Sequence, residues 1–353
     1  MPARYLPFTW RFAPFHYAYR VKIRSRAKRI FRPAFIVLAL GFCGYALAAR
    51  WDETSRALAN MSWPLVGLSL ICAFAGMCAL MMGLRAVLAG FGSVLPLRGA
   101  ARVWFIAQLG KYVPGKVWVL AAQVELGHQY KVPRLRMVSA TFLNMAITMA
   151  TGLAIAAVAL PLTSPEATAD YWWLFPLAPV LLAALHPKIV TWGLNLGLKI
   201  IHRPPLERPA DLGATLRTVG WGLVGWALFG LHIWLLALDG GGSGTSLPLA
   251  AIGGYALAWT VGFLFFITPG GIGAREVALA ITLAPALPAG APQVVAIISR
   301  VVFTLVDLIG SGLAFLIGGR LRFTALRARP ADLPAADVAA TKKPDQGLSS
   351  SSR

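Results

Sequence analysis

The sequence predicts an all-α integral membrane protein with about six full spans, two re-entrant helical hairpins and an inverted repeat. Hydrophobic residues make up 58% of the chain and charged residues only 13%, about half the charged fraction of soluble domains. Several apolar stretches are long enough to cross a hydrocarbon core of about 30 Å. Lys and Arg cluster in a few segments, as they do in the cytoplasmic loops of multi-pass proteins. These observations favour a membrane protein over a soluble, basic, nucleic-acid-binding one.

Six apolar segments have the length and composition of full spans. Nine Lys and Arg residues precede the first segment and seven follow residue 319. Because basic loops remain in the cytoplasm, we expect both termini to be cytoplasmic and the protein to lie in the cell (inner or plasma) membrane. The predicted spans are residues 33–50, 62–84, 138–161, 171–187, 217–238 and 295–318.

The termini differ from the membrane part in composition. Residues 1–32 form a basic segment that we expect to bind anionic lipid. Residues 33–320 form the polytopic membrane domain. Residues 321–353 are rich in Ala, Pro, Ser and basic residues, which predicts a disordered cytoplasmic tail. Nucleic acid is not an expected partner, and the sequence does not predict an oligomeric state.

Two stretches do not fit simple spans. In residues 99–128, two apolar pieces of about ten residues flank Pro114-Gly115 between basic ends, so the sequence predicts a re-entrant hairpin entered from the cytoplasm. In residues 247–292, two pieces of roughly 15 to 20 residues flank a second Pro-Gly turn. Two full spans and a hairpin entered from outside both remain open there.

With these two hairpins, the predicted spans and hairpins follow the same order in two parts of the chain. A span, a hairpin and a span make a first unit at residues 62–161, and the same order makes a second unit of opposite orientation at residues 217–318. Inverted repeats with broken helices that meet near the membrane midplane are a common plan of transporters. The alternative is that two Pro-Gly turns occur by chance.

Few charges remain at membrane depth once loops and tails are removed. An ionisable residue there costs about 2.5–3.5 kcal/mol on insertion scales, so each needs a partner or a function. The residues concerned are Lys111, Lys116, Glu125, Arg275, Glu276, Arg300 and Asp307.

The first tip predicts an anion site. The amides after Pro114 and Gly115 begin a half-helix, and a helix N-terminus attracts anions. Lys111 and Lys116 flank that tip and together suit one phosphate. The alternative is that both lysines reach towards the cytoplasmic interface.

The second tip carries Pro269, Gly270, Gly271 and Gly273, followed by charged residues. The glycines expose backbone N–H groups, and the planar guanidinium of Arg275 suits phosphate.

The charges beyond this tip leave several roles open. Arg300 and Asp307 are two turns apart on one helix face. Ion pairs of Glu276 with Arg300 or of Arg275 with Asp307 are alternatives to a substrate role. Glu276 or Asp307 is also a candidate for a coupling proton, and Glu125 for a further ion pair.

Recognisable catalytic motifs are absent from the sequence. Gly110, Gly115 and Lys116 match the first part of a P-loop, but Val117 stands where Ser or Thr would bind Mg²⁺. The sequence contains no Gly-x-Ser-x-Gly elbow and no His spacing typical of a metal site. We therefore expect no enzyme activity, no cofactor and no metal.

Three motifs carry a resemblance to a known family. GKYVPGKVW at 110–118, LHPKIV at 185–190 and TPGGIGAREVAL at 268–279 resemble the lysylphosphatidylglycerol synthase transmembrane-domain family, which includes the flippase half of the multiple peptide resistance factor. The resemblance covers about residues 33–320. It implies a lipid-translocating fold and a substrate role for the motif residues. These are Lys111, Pro114, Gly115, Lys116, Pro269, Gly270, Gly271, Gly273, Arg275 and Glu276.

The resemblance does not extend to aminoacylation. Synthase members append a soluble domain of several hundred residues, whereas this chain ends some 35 residues after the last predicted span. We expect a flippase or transporter for a phospholipid or polyprenyl-phosphate-type amphiphile. The alternatives are an accessory subunit of a lipid- or glycan-modifying enzyme and a membrane-embedded transferase.

Overall fold

The computed structural model describes residues 61–113, 117–200, 211–264, 271 and 273–317, apart from the side chain of Leu198. The predicted span at 33–50, the basic segment 1–32 and the tail 321–353 lie outside these residues. The described part is helical and contains no strand. Its eleven α-helices are α1 Trp63–Gly90, α2 Leu97–Gln108, α3 Val117–Gln129, α4 Arg134–Ala159, α5 Pro165–Tyr171, α6 Leu177–Ala184, α7 Pro187–Ile200, α8 Leu212–Asp239, α9 Leu247–Leu264, α10 Ala274–Leu283 and α11 Ala291–Ile317.

Five of these helices are long and apolar enough to cross a membrane, namely α1, α4, α8, α9 and α11. The all-α membrane fold that the composition predicts is therefore confirmed. A sixth span is present if the bent pair made by residues 165–184 and 187–197 counts as one.

The predicted span at 171–187 is not one continuous helix. The chain there consists of α5, a short 3₁₀ turn, α6 and α7, and the direction changes by 73° at the break before Pro187. Proline has no N–H to donate to the preceding turn, so helices restart and bend where it occurs. Pro176 and Pro187 both lie at such restarts.

Helix α8 packs along α1 through glycines at heptad spacing. A Cβ at Gly83 would lie 3.4 Å from the Thr218 side chain, and one at Gly90 would lie 2.5 Å from Ala214. A Cβ at Gly76 would overlap the ring of Phe229. Small residues let membrane helices approach closely and gain packing energy that lipid cannot replace.

The two predicted hairpins differ in the lengths of their arms. Helices α2 and α3 have 12 and 13 residues, about 18–20 Å each, and pack against one another. In the second region, α9 has 18 residues but α10 only 10, about 15 Å. Helix α10 is therefore too short for the second full span that the sequence left open.

The helix contacts are reciprocal between the two halves. Helix α4 packs against α9 as α11 packs against α2, and α1 contacts α11 as α8 contacts α4. The order helix–hairpin–helix occurs in α1–α4 and again in α8–α11. This pairing is what two units related by a two-fold axis would produce, while their opposite orientation in a membrane stays a prediction.

Candidate functional site

The first hairpin brings a lysine and a tyrosine to the middle of α11. A 3₁₀ turn, Leu109–Tyr112, follows α2. The turn can pack closely because a Cβ at Gly110 would lie 2.7 Å from the backbone nitrogen of Val119. Lys111 Nζ lies 2.5 Å from Asp307 Oδ2. The hydroxyl of Tyr112 donates to the same oxygen at 2.6 Å.

Asp307 is the most deeply buried carboxylate of this cluster. Its side chain is 0% exposed, against 23% for Lys111. Its second oxygen, Oδ1, has no hydrogen-bond partner among the described residues. Asp307 lies about 24 Å from the start of α11 and about 15 Å from its end, so it is at membrane depth. A charge there is stabilised only by its partners.

The second hairpin presents the N-terminus of α10 to the same region. Gly271 and Gly273 have φ angles of 72° and 90°, a left-handed conformation that glycine adopts without steric cost. Glu276 Oε2 accepts a hydrogen bond from the Gly273 N–H at 2.6 Å. Glu276 therefore caps its own helix and satisfies one of the N–H groups that a helix start leaves open.

Arg275 is held between aromatic rings. Its guanidinium carbon lies 4.8 Å from the ring centre of Tyr255 and 4.7 Å from that of Phe303. One of its N–H groups donates to the Tyr255 hydroxyl. Cation–π contacts of this kind stabilise a desolvated cation by up to about 2 kcal/mol. The guanidinium is thus fixed in position beside α10 without a carboxylate in these contacts.

Arg300 pairs with the carboxylate that caps α10. Its Nε lies 3.8 Å from Glu276 Oε1, and both side chains are mostly buried. Lys111 lies within the electrostatic field of Arg275 and Arg300 as well as of Asp307. Among the described residues, three cations and two carboxylates therefore form one buried cluster from both hairpins and α11, which we call the charged cluster. It comprises Lys111, Arg275, Glu276, Arg300 and Asp307.

The buried His232 lies next to the charged cluster and contacts Phe303, whose ring also contacts Arg275. His232 Nδ1 lies 2.7 Å from Ser69 Oγ, and its Nε2 lies 3.0 Å from Ser299 Oγ. The ring also contacts Phe303 edge-on at 5.3 Å. This network joins α1, α8 and α11 behind the aromatic ring that holds Arg275. Buried polar groups of this kind fix a single packing arrangement when all are satisfied.

The structure places the predicted site residues as follows. Lys111, Arg275, Glu276, Arg300 and Asp307 come together, and the Glu276–Arg300 pair is the one of the two predicted ion pairs that forms. Asp307 pairs with Lys111. Gly271 and Gly273 form the start of α10. Pro114, Gly115, Lys116, Pro269 and Gly270 lie outside the described residues.

Glu125 lies apart from the charged cluster. Its Oε2 is 4.0 Å from Arg134 Nη2, and both side chains are largely exposed. An ion pair so exposed contributes at most about 1 kcal/mol. Glu125 therefore forms a surface pair between α3 and the start of α4.

Sequence reasoning did not identify four contact residues: Tyr112, Tyr255, Phe303 and Thr304. Tyr112 adjoins Lys111 in the first motif, and Tyr255 is an aromatic residue with a polar hydroxyl in an otherwise apolar helix. Buried tyrosine hydroxyls generally have a partner, and this property is the signal that identifies both tyrosines. Phe303 and Thr304 carry no such signal.

No group of three His, Cys, Asp or Glu side chains in the described part of the chain is arranged to bind a metal ion. The free cysteines Cys72 and Cys78 lie within α1. The charged cluster consists of one Lys, two Arg and two carboxylates, a set suited to an anion.

Comparison with known proteins identifies a family. No curated protein matches the chain. The sequence of residues 29–314 matches the family described as Lysylphosphatidylglycerol synthase TM region. This range contains both hairpins, the charged cluster and nearly all of α11. The chain therefore belongs to the Lysylphosphatidylglycerol synthase TM region family, a membrane domain linked to lipid handling.

Proposed function

We propose that the protein is a flippase that moves an anionic amphiphile, a phospholipid or a polyprenyl-phosphate-type lipid, between the two leaflets. The observation that carries the proposal is the charged cluster at membrane depth, where described residues of both hairpins contact α11. Ionisable residues in that position mark the paths of substrates and ions. Membership in a family linked to lipid handling favours a lipid as the substrate.

The charge of the cluster favours an anion. Three cations face two carboxylates among the described residues, which leaves one positive charge in excess when all are ionised. A lipid phosphodiester carries one negative charge and is attracted by that excess. The start of α10 adds the partial positive charge of a helix N-terminus. In this arrangement the headgroup contacts Lys111 and Arg275, and the acyl or prenyl chains remain in the bilayer.

The reciprocal packing of the two halves supplies a mechanism. Rocking of the unit α1–α4 against α8–α11 would open the cluster to one leaflet and then to the other. Lys111 belongs to the first unit and Asp307 to the second, so this pair joins the two units in the described conformation. We propose an inverted repeat in the cell membrane, with both termini in the cytoplasm.

Leaflet exchange in proteoliposomes tests the proposal. Fluorescent phosphatidylglycerol, phosphatidylethanolamine and a short polyprenyl phosphate would each be incorporated, and quenching of the outer leaflet would be followed with and without protein. We expect protein-dependent exchange of an anionic lipid, at least tenfold slower in Lys111→Gln and Arg275→Gln. Arg134→Gln, which removes an exposed cation, is the matched control and should exchange lipid at the rate of the unmodified protein.

Equal exchange with and without protein for the whole panel would refute the flippase. Such a result with a stoichiometric enzyme bound to the purified protein would favour the accessory subunit. Formation of a modified lipid by the purified protein would favour the transferase. We propose that the protein has no enzyme activity and needs no cofactor.

A further inference from the structure

We infer that lipid movement by this protein is coupled to protons, and that Asp307 is the group that carries the proton. The inference rests on the proposed flippase function and adds its energy source. It starts from the contacts of the two carboxylates in the charged cluster, which differ in one respect. Only Asp307 has as its ion-pair partner a residue, Lys111, that the substrate headgroup would also bind.

Glu276 makes structural contacts that substrate binding would not break. It caps α10 through the Gly273 N–H at 2.6 Å and lies 3.8 Å from Arg300. Both partners belong to the same half of the molecule as Glu276. This carboxylate therefore keeps its partners when the two units move, and it has no reason to change its charge.

Asp307 depends on the other half of the molecule. Its two close contacts, with Lys111 Nζ at 2.5 Å and the Tyr112 hydroxyl at 2.6 Å, both involve the same oxygen and both come from the first hairpin. Oδ1 has no hydrogen-bond partner among the described residues. A lipid phosphate that pairs with Lys111 would leave a fully buried carboxylate without its cation. Burial strongly disfavours such a charge, so the carboxylate takes up a proton.

The other charged and titratable groups near Asp307 have contacts of their own. Arg300, on α11 itself, faces Glu276, and Arg275 of α10 is held by the ring and hydroxyl of Tyr255 from α9. Helix α8 contributes His232, whose ring nitrogens both face serines. The remaining charged groups on helices packed against α11 are Arg98 and the buried Arg102 of α2, Arg217 and Asp239 of α8, and Arg85 of α1, which donates to the carbonyl of Leu95.

The exchange defines a cycle with a fixed stoichiometry. On the loading side, the phosphate replaces Asp307 at Lys111, and Asp307 takes one proton from water on that side. On the unloading side, the phosphate leaves, Lys111 pairs again with Asp307, and the proton passes to water there. One proton and one monoanionic lipid therefore move in the same direction without net charge. The empty protein returns with its ion pair closed.

This cycle predicts a specific response to gradients. The unmodified protein would be reconstituted with labelled phosphatidylglycerol in the outer leaflet, with the membrane potential clamped by potassium and valinomycin. For one proton per lipid, a gradient of one pH unit, acidic outside, should shift the final inner-to-outer ratio by about tenfold at most. A membrane potential imposed without a pH gradient should not shift the ratio.

Three variants separate Asp307 from the other carboxylates. Asp307→Asn should exchange lipid without any response of the final ratio to the pH gradient. Glu276→Gln should exchange lipid more slowly but keep the response. Glu125→Gln, whose parent carboxylate lies in the exposed pair with Arg134, should change neither rate nor response.

A binding measurement on the unmodified protein keeps the inference testable if Asp307→Asn does not fold. Short-chain phosphatidylglycerol would be added to protein in weakly buffered detergent with a pH indicator. We expect the uptake of about one proton per lipid bound. Exchange that ignores the pH gradient, or binding without proton uptake, would overturn the coupling and leave the flippase standing. No exchange of any lipid would instead refute the flippase itself.

Discussion

The Lys111–Asp307 pair is expected to behave as a buried ion pair whose members cannot be removed singly. Lys111→Met would leave a carboxylate with 0% exposure and one hydrogen bond, from Tyr112. Loss of one partner from a buried pair costs about 3–5 kcal/mol. Asp307→Asn would leave an ammonium group that is 23% exposed. Because that group retains some hydration, we expect the smaller loss of about 2–3 kcal/mol.

The double variant distinguishes this interpretation from simple loss of packing. Lys111→Met combined with Asp307→Asn removes both charges, so neither is left unpaired. We expect it to be less destabilised than the sum of the single variants by about 2–4 kcal/mol. The free energy of unfolding would be measured by titration with sodium dodecyl sulfate in mild detergent, followed by circular dichroism. Arg134→Met, which breaks an exposed pair at 4.0 Å, is the control and should cost less than about 1 kcal/mol.

Additive losses would refute the reasoning. If each single variant cost less than about 1 kcal/mol and the double variant cost their sum, the two groups would not be a desolvated pair. The argument that substrate binding leaves Asp307 with an unfavourable charge would then lose its energetic basis.

Three further predictions concern the surroundings of the charged cluster. Gly262→Ala should destabilise the protein by about 1–3 kcal/mol in the same titration, because the added Cβ would lie 2.8 Å from the Cβ of Arg275. Gly220→Ala is the control and should not destabilise the protein, because a Cβ at Gly220 would have no atom within 4 Å. His232→Leu should cost about 2–4 kcal/mol and broaden the unfolding transition, because two buried serine hydroxyls lose their shared partner; an unchanged midpoint would contradict this role. Arg275→Lys should slow lipid exchange about tenfold although it keeps the charge, since an ammonium cannot both contact the ring and reach the hydroxyl of Tyr255; exchange at the unmodified rate would show that charge alone suffices.

The sequence predicted the membrane fold because that prediction needs only length and polarity. Helices α1, α4, α8 and α11 each cover all or nearly all of one of the expected apolar segments. The break at 171–187 was not predicted, because hydropathy records how apolar a segment is and not whether its backbone continues straight. Pro176 and Pro187 lie at helix starts there. Prolines inside an apolar run therefore indicate a break in the helix that hydropathy alone does not reveal.

The sequence allowed the residues of the charged cluster to be predicted, but not which of them pair with one another. Each member was identified by one property, an ionisable side chain at membrane depth. Spacing along a helix then shows which residues share a face, as it did for Arg300 and Asp307 on α11. It cannot show which distant element meets that face, and Lys111 meets Asp307 across 196 positions of the chain. That pairing follows from the reciprocal packing of the two halves, which places the first hairpin on the last helix of the second unit. The same packing explains why a substrate would compete with Asp307 for Lys111. Glu276 would not face this competition, because its partners, Gly273 and Arg300, belong to its own unit.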